Sequence, residues 1–241
     1  MLPSVKRTPR LALHAAAVLL TVTSASEAVA DDGAGPFGVT TVAAATSQNA
    51  RVGALFDGKE HFCTASVVRS PHRDLVVTAA HCLDDGDGGL VFVPGYRDGE
   101  APYGRWKVKK RYLPEGWSEG QDEDSDVAFA TVDGDVQDVV GGNPFVTGTA
   151  TGATGVTVTG YPSSRDVPIG CTNKPTAHSR TQQRIACPDF TGGTSGSPWV
   201  NGDGQVVGVL GGHEQGGATP DVSYSVVLGA EAAALYRDAV R

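Results

Sequence analysis

The sequence predicts an all-β fold, and three observations carry that prediction. Short β-branched or aromatic runs recur throughout residues 51–227, separated by Gly, Asp and Pro, the texture of a barrel or sandwich. A stretch rich in Gly, Asp and Asn, 133–148, divides these runs into two sets. Only one segment, 230–240, has the Ala- and Leu-rich composition of a convincing helix, with acid early and base late. A chain of 241 residues is long enough for one double-barrel domain or two small ones.

In chain order, Lys6, Arg7 and Arg10 precede the apolar run 11–22, and Ala28-Val29-Ala30 supplies a small-x-small cleavage site. This predicts a secretory signal peptide over residues 1–30, too short in its apolar part to span a bilayer. Without its three basic and one acidic residues the chain has 16 basic and 26 acidic residues, a net charge of −10. So acidic a protein has no electrostatic reason to bind nucleic acid or an anionic membrane. Residues 31–50 show little periodicity and read as a short pro-segment or an N-terminal arm. The first set of strands is expected at 52–56, 62–68, 75–78, 90–93, 106–108 and 127–132, and the second at 155–159, 181–186, 199–200, 205–210 and 224–227. Asp84-Asp85-Gly86-Asp87 lacks the spacing and closing glutamate of a calcium loop and reads as a solvated turn. No metal or other cofactor is expected. Four cysteines in an exported chain suggest two disulfides, with three pairings open.

The chemistry gathers in three segments. Thr191-Gly192-Gly193-Thr194-Ser195-Gly196-Ser197-Pro198 holds one serine among glycines, where main-chain N–H groups can face a developing oxyanion. Serine needs a base near neutrality, and Val76-Val77-Thr78-Ala79-Ala80-His81-Cys82 offers an imidazole after a strand and a turn of small residues. The imidazole needs a carboxylate to set its tautomer. Asp126 leads directly into the apolar Val127-Ala128-Phe129, whereas Asp122, Glu123 and Asp124 stand in a solvated acidic run.

The order His81, Asp126, Ser195, with the motifs TAAHC, DVA and GTSGSP, resembles the trypsin/chymotrypsin-like serine proteases over roughly residues 51–241. The likeness is nearest to secreted bacterial branches that include glutamyl endopeptidases. It implies two six-stranded antiparallel β-barrels of the chymotrypsin type closed by a C-terminal helix, with His81, Asp126 and Ser195 catalytic. It also implies an oxyanion hole from the N–H groups of Gly193 and Ser195, and bridges Cys63–Cys82 and Cys171–Cys187. Cleavage of protein or peptide substrates by a secreted monomer follows from it. An inactive protease-like binding protein is the alternative.

One departure from the family pattern stands out. The residue before the nucleophile is Thr194, where the family often carries an aspartate that pairs with a freed amino terminus. For the substrate pocket the resemblance proposes Asp189, Phe190, Gly211, Gly212 and His213. Asp189 would favour a basic P1 residue by a charge-assisted pair, and His213 an acidic one. Gly208–His213 resembles the strand that takes substrate backbone.

Overall fold

The computed structural model describes Met1, residues 36–84 and residues 89–241. The expected signal peptide and Asp85-Gly86-Asp87 of the acidic turn lie outside the described residues. The first strand is β1 (Val39–Val42), and six more follow: β2 (Val52–Asp57), β3 (Glu60–Val67), β4 (Leu75–Thr78), β5 (Val91–Pro94), β6 (Trp106–Tyr112) and β7 (Ala128–Val132). Strands β2 to β7 pair antiparallel in the cyclic order β2-β3-β4-β7-β6-β5 and close into a barrel.

Burial explains why β4 and β7 read as unbroken apolar runs. In β4, Val76 faces the barrel core with Ala65, Val67 and Phe92, while Leu75 and Val77 face the other way. In β7, Ala128, Ala130 and Val132 point inward, while Phe129, with Val127 just before the strand, joins Leu75 and Val77 outside. The outward residues meet Val200, Val206, Val209 and Val226 of the second half, and Ala232 and Ala239 of the closing helix. A strand covered on both faces cannot alternate apolar with polar.

The second half contains β8 (Val156–Gly160), β9 (Ile169–Asn173), β10 (Thr176–Ala177), β11 (Gln182–Ala186), β12 (Pro198–Asn201), β13 (Val206–Val209) and β14 (Val222–Val226). These strands form a five-stranded sheet, β1-β9-β8-β12-β13, and a three-stranded sheet, β10-β11-β14. Between β13 and β14 the Val209 N–H donates to the Ser225 hydroxyl at 3.0 Å, and the Gly211 N–H to the Tyr224 carbonyl at 2.9 Å. The core beneath holds Val158, Ile169, Ile185, Trp199 and Leu210. Disulfides join Cys63 to Cys82 and Cys171 to Cys187.

Three short helices, α1 (His81–Asp84), α2 (Glu115–Gly120) and α3 (Val136–Val140), sit in the connections, and α4 (Ala230–Ala239) ends the chain. Its Tyr236 packs with Phe129 and Phe145, and its Glu231 accepts from the Ser125 hydroxyl at 2.9 Å. The structure is thus mostly β, with one closed six-stranded antiparallel barrel, a second half built of a five-stranded and a three-stranded sheet, and the expected C-terminal helix.

Strand β1 has no counterpart among the sequence expectations. It pairs antiparallel with β9, Val39 opposite Thr172 and Val42 opposite Ile169. Gly38 N–H donates to Ala186 O at 2.8 Å, and the Thr40 hydroxyl to Pro188 O at 2.6 Å. Its four residues lie on an exposed edge, so no hydrophobic periodicity marks it.

Candidate active site

His81 opens α1 after β4 stops at Thr78. Ala79 and Ala80 between them are fully buried, and Cys82 N–H turns back to Ala79 O at 3.2 Å. Asp126 arrives from the opposite side, delivered to the head of β7 by the single 3₁₀ turn Glu123–Ser125. Its carboxylate is fully buried and accepts three hydrogen bonds. His81 N–H reaches Oδ1 at 3.0 Å, while His81 Nδ1 and Gly212 N–H both reach Oδ2 at 2.7 Å. Such a charge is tolerated in the interior because its lone pairs are satisfied. A carboxylate only accepts, so Nδ1 carries the proton and Nε2 presents a lone pair.

Ser195 is half-buried and is tied to β3 through its backbone. Its carbonyl accepts from Thr64 N–H at 2.7 Å. Thr64 follows Cys63, whose bridge ends at Cys82, the residue after His81. Gly196 N–H donates to Leu210 O at 2.7 Å, and Leu210 N–H to Ser197 O at 2.8 Å. Gly196 has φ +84°, and a Cβ there would overlap the Thr64 carbonyl, so the sharp bend after the serine requires glycine. The N–H groups of Gly193 and Ser195 donate to no protein group among the described residues.

These distances meet a family match: residues 63–209 fit the trypsin-like peptidase domain. The chain belongs to that family. It is 30 % identical over 131 residues to the glutamyl endopeptidase of Bacillus licheniformis, a match that covers 51 % of this chain and 41 % of that relative. The chain thus spans about two fifths of the length of the curated relative it matches. Among solved structures it resembles the protease Anisep from Arthrobacter nicotinovorans, with a TM-score of 0.72 and 28 % identity over 84 % of this chain and 99 % of that one. The thermostable serine protease AL20 from an extremophilic microorganism is equally similar (TM-score 0.72, 28 % identity), covering 81 % of this chain and 99 % of the other.

Beside Ser195 lies a cavity of about 300 Å³, walled by Phe190, Leu210, Gly216, Gly217, Thr219 and Pro220. No lining residue is charged. A larger groove of about 600 Å³ runs along β1, lined by residues 36–39 and 41–44, by Asn49 and by parts of β8 and β9, with no titratable side chain.

Two of the residues proposed to read substrate charge do not line this cavity. Asp189 is exposed at φ +70°, and its carbonyl accepts from Thr191 N–H at 2.9 Å. The left-handed turn sends its carboxylate to solvent and brings the buried Phe190 ring inward; Asp is among the few residues that tolerate that conformation. His213 instead packs against His178 and, edge to face, against Tyr224, ring centroids 4.7 and 4.8 Å away, with Nδ1 3.5 Å from Glu123 Oε2. Burial and the neighbouring His213 and Arg184 lower the pKa of His178.

Gly211 and Gly212 serve the carboxylate. A Cβ on Gly211 would lie 2.7 Å from Asp126 Oδ2, and Gly212 supplies one of its donors. The chain then curls into the turn His213–Gly216, where Gln215 N–H takes the Gly212 carbonyl at 2.7 Å. That carbonyl is therefore engaged internally, in a stretch expected to bind substrate as an edge strand. Sequence reasoning passed over Thr64 and Ser163, because nothing in their neighbourhoods separates them from ordinary strand or turn residues.

Proposed function

We propose that the chain is a secreted serine endopeptidase working through an acyl-enzyme. Ser195 Oγ attacks the scissile carbonyl while its proton passes to His81 Nε2. The proton then goes to the leaving amine as the C–N bond breaks. Water repeats the sequence, releasing the acid and restoring the serine. Asp126 holds the imidazole and stabilises its charged form, and the N–H groups of Gly193 and Ser195 receive the oxyanion. The buried His81–Asp126 pair, with Ser195 tied through its carbonyl to Thr64 next to the Cys63–Cys82 bridge, carries this reading. An inactive binding protein would have no use for a fully satisfied carboxylate aimed at one imidazole.

The cavity's charge-free walls support an uncharged P1 side chain. A Lys, Arg or Glu there would lose hydration without a countercharge, at a cost of several kcal/mol. Protein and peptide substrates, a monomeric state and no cofactor complete the proposal. The two disulfides favour an oxidising compartment, and among the described residues no helix is long and apolar enough to cross a membrane. We place the start of the catalytic unit before Val39, because β1 is hydrogen-bonded into the second half.

The test is a cleavage profile of the purified protein on a mixed peptide library, with Ser195→Ala and Asp189→Asn alongside. Cuts after uncharged residues, absent from Ser195→Ala and unchanged in Asp189→Asn, are expected. Cuts after Lys or Arg that Asp189→Asn removes, or cuts after Glu, would overturn the P1 assignment. Equal cleavage by Ser195→Ala would overturn the enzyme.

A further inference from the structure

The nucleophile loop contains no ionisable side chain from Thr191 to Pro198. Its far end is held by bonds to Leu210 and by its own Thr194 and Ser197 hydroxyls, and two residues outside the loop hold its Gly192–Gly193 end. The first is Thr64 on β3, fully buried, with every polar group engaged at the site. Its N–H donates to Ser195 O at 2.7 Å, and its carbonyl accepts from the Thr78 hydroxyl at 2.7 Å. Its own hydroxyl donates to Gly193 O at 3.0 Å and accepts from Tyr161 N–H at 2.9 Å. The second is Ser163, in the segment after β8. Its N–H and its hydroxyl both donate to Gly192 O, at 2.8 and 3.0 Å.

Two successive carbonyls, Gly192 O and Gly193 O, are thus each tied to a group outside the loop. In a planar trans peptide the C=O and the following N–H point in opposite directions. Holding Gly192 O against Ser163 therefore turns the Gly193 N–H away from Ser163, and it meets no protein acceptor among the described residues. Rotating that peptide would break both Ser163 bonds and bring a carbonyl oxygen to the place of the anion. Gly193 adopts φ +95°, and a Cβ there would lie 2.5 Å from Ser163 N and 2.6 Å from Tyr161 O. The fit between the two loops is therefore tight.

We propose that Thr64 and Ser163 are positioning residues that clamp the two peptides flanking Gly193, Ser163 on Gly192 O and Thr64 on Gly193 O, and so keep the Gly193 N–H aimed at the developing oxyanion. Thr64 is the principal member, because one hydroxyl joins three segments: β3, the 161–163 turn and the nucleophile loop. The clamp consists of neutral hydroxyls and amides, so the oxyanion site is assembled without a charged partner next to the nucleophile, where Thr194 stands. This inference rests on the reading of Ser195 as nucleophile.

The experiment compares Thr64→Val, Thr64→Ser and Ser163→Ala with wild type and Ser195→Ala on a peptide amide, measuring kcat and KM separately. It also measures affinity for a peptide boronate, which imitates the tetrahedral adduct. Thr64→Val keeps shape but leaves Gly193 O and Tyr161 N–H without a partner. It is expected to lower kcat about 10- to 100-fold, with KM within about threefold, since small misplacements of reacting groups have effects of this size. Boronate affinity should fall in parallel, because only tetrahedral species feel the hole. Thr64→Ser should recover activity to within about threefold of wild type, as it keeps the hydroxyl. Ser163→Ala, on an exposed turn, should lose kcat about three- to tenfold.

A Thr64→Val kcat within threefold of wild type, equal losses in the Val and Ser variants, or a change carried by KM would each overturn the clamp. Should Thr64→Val lack a cooperative melting transition, Ser163→Ala decides, and an unchanged kcat there overturns it. Wild-type cleavage that Ser195→Ala fails to remove would instead refute the endopeptidase reading. The clamp would then be judged by the Gly193 amide signal in 15N NMR, which Ser163→Ala should shift and which an unmoved signal would refute.

Discussion

Replacing Asp126 by Asn tests the site at its most constrained atom. Three donors converge on two oxygens: His81 N–H on Oδ1, and His81 Nδ1–H with Gly212 N–H on Oδ2. An amide offers one oxygen and an NH₂ that only donates. With its oxygen in the Oδ2 place, the NH₂ confronts His81 N–H across 3.0 Å. With its oxygen in the Oδ1 place, the NH₂ faces Gly212 N–H, and His81 must shift its proton to Nε2, which abolishes the base. Either arrangement leaves a buried N–H unpaired, at about 1–3 kcal/mol. For a domain of this size that lowers Tm by roughly 2 to 12 °C. Either also removes the charge that steadies the imidazolium, so kcat should fall about 10³- to 10⁴-fold. The assay is kcat on a peptide amide, with thermal melting by circular dichroism; Asp122→Asn, an exposed acid, is the control. A kcat within tenfold of wild type would refute the assignment of Asp126.

Two further outcomes are expected. His61 is buried among Phe56, Tyr96 and Tyr161, with Nε2 3.1 Å from Arg165 O and Nδ1 unpartnered. Burial lowers its pKa, against opposing contributions from the Arg165 carbonyl and Asp166. The unfolded chain then binds the proton more readily, so the histidine's stabilising contribution is complete above about pH 6.5. It is lost as pH falls through the ordinary range to the lower folded value, with a slope of up to about 1.4 kcal/mol per pH unit. His61→Phe should flatten this limb, and a wild-type-minus-variant Tm difference that stays constant from pH 7.5 to 5 would contradict it. The two disulfides close loops of similar length, with separations of 19 and 16 residues, so replacing either pair with serines should cost about 3 kcal/mol. Only loss of Cys63–Cys82, which brackets His81 and Thr64, should also lower kcat; equal kcat in the two double variants, read beside urea unfolding, would count against that role.

The sequence by itself determined the strand texture, the all-β class, the closing helix and the order of His81, Asp126 and Ser195. These are local signals: β4 and β7 are apolar throughout because both faces are covered, and Asp126 differs from its acidic neighbours by the apolar strand that follows it. Only the tertiary structure decided where Asp189 and His213 point, because one left-handed turn and one packed trio of rings override their distance from Ser195 along the chain. It also decided the use of Gly211 and Gly212, which carry no periodicity and matter for the carboxylate they admit. The same holds for Thr64: its hydroxyl meets Gly193 across 129 residues of chain, and no pattern within a strand of eight residues records which distant carbonyl will need a donor.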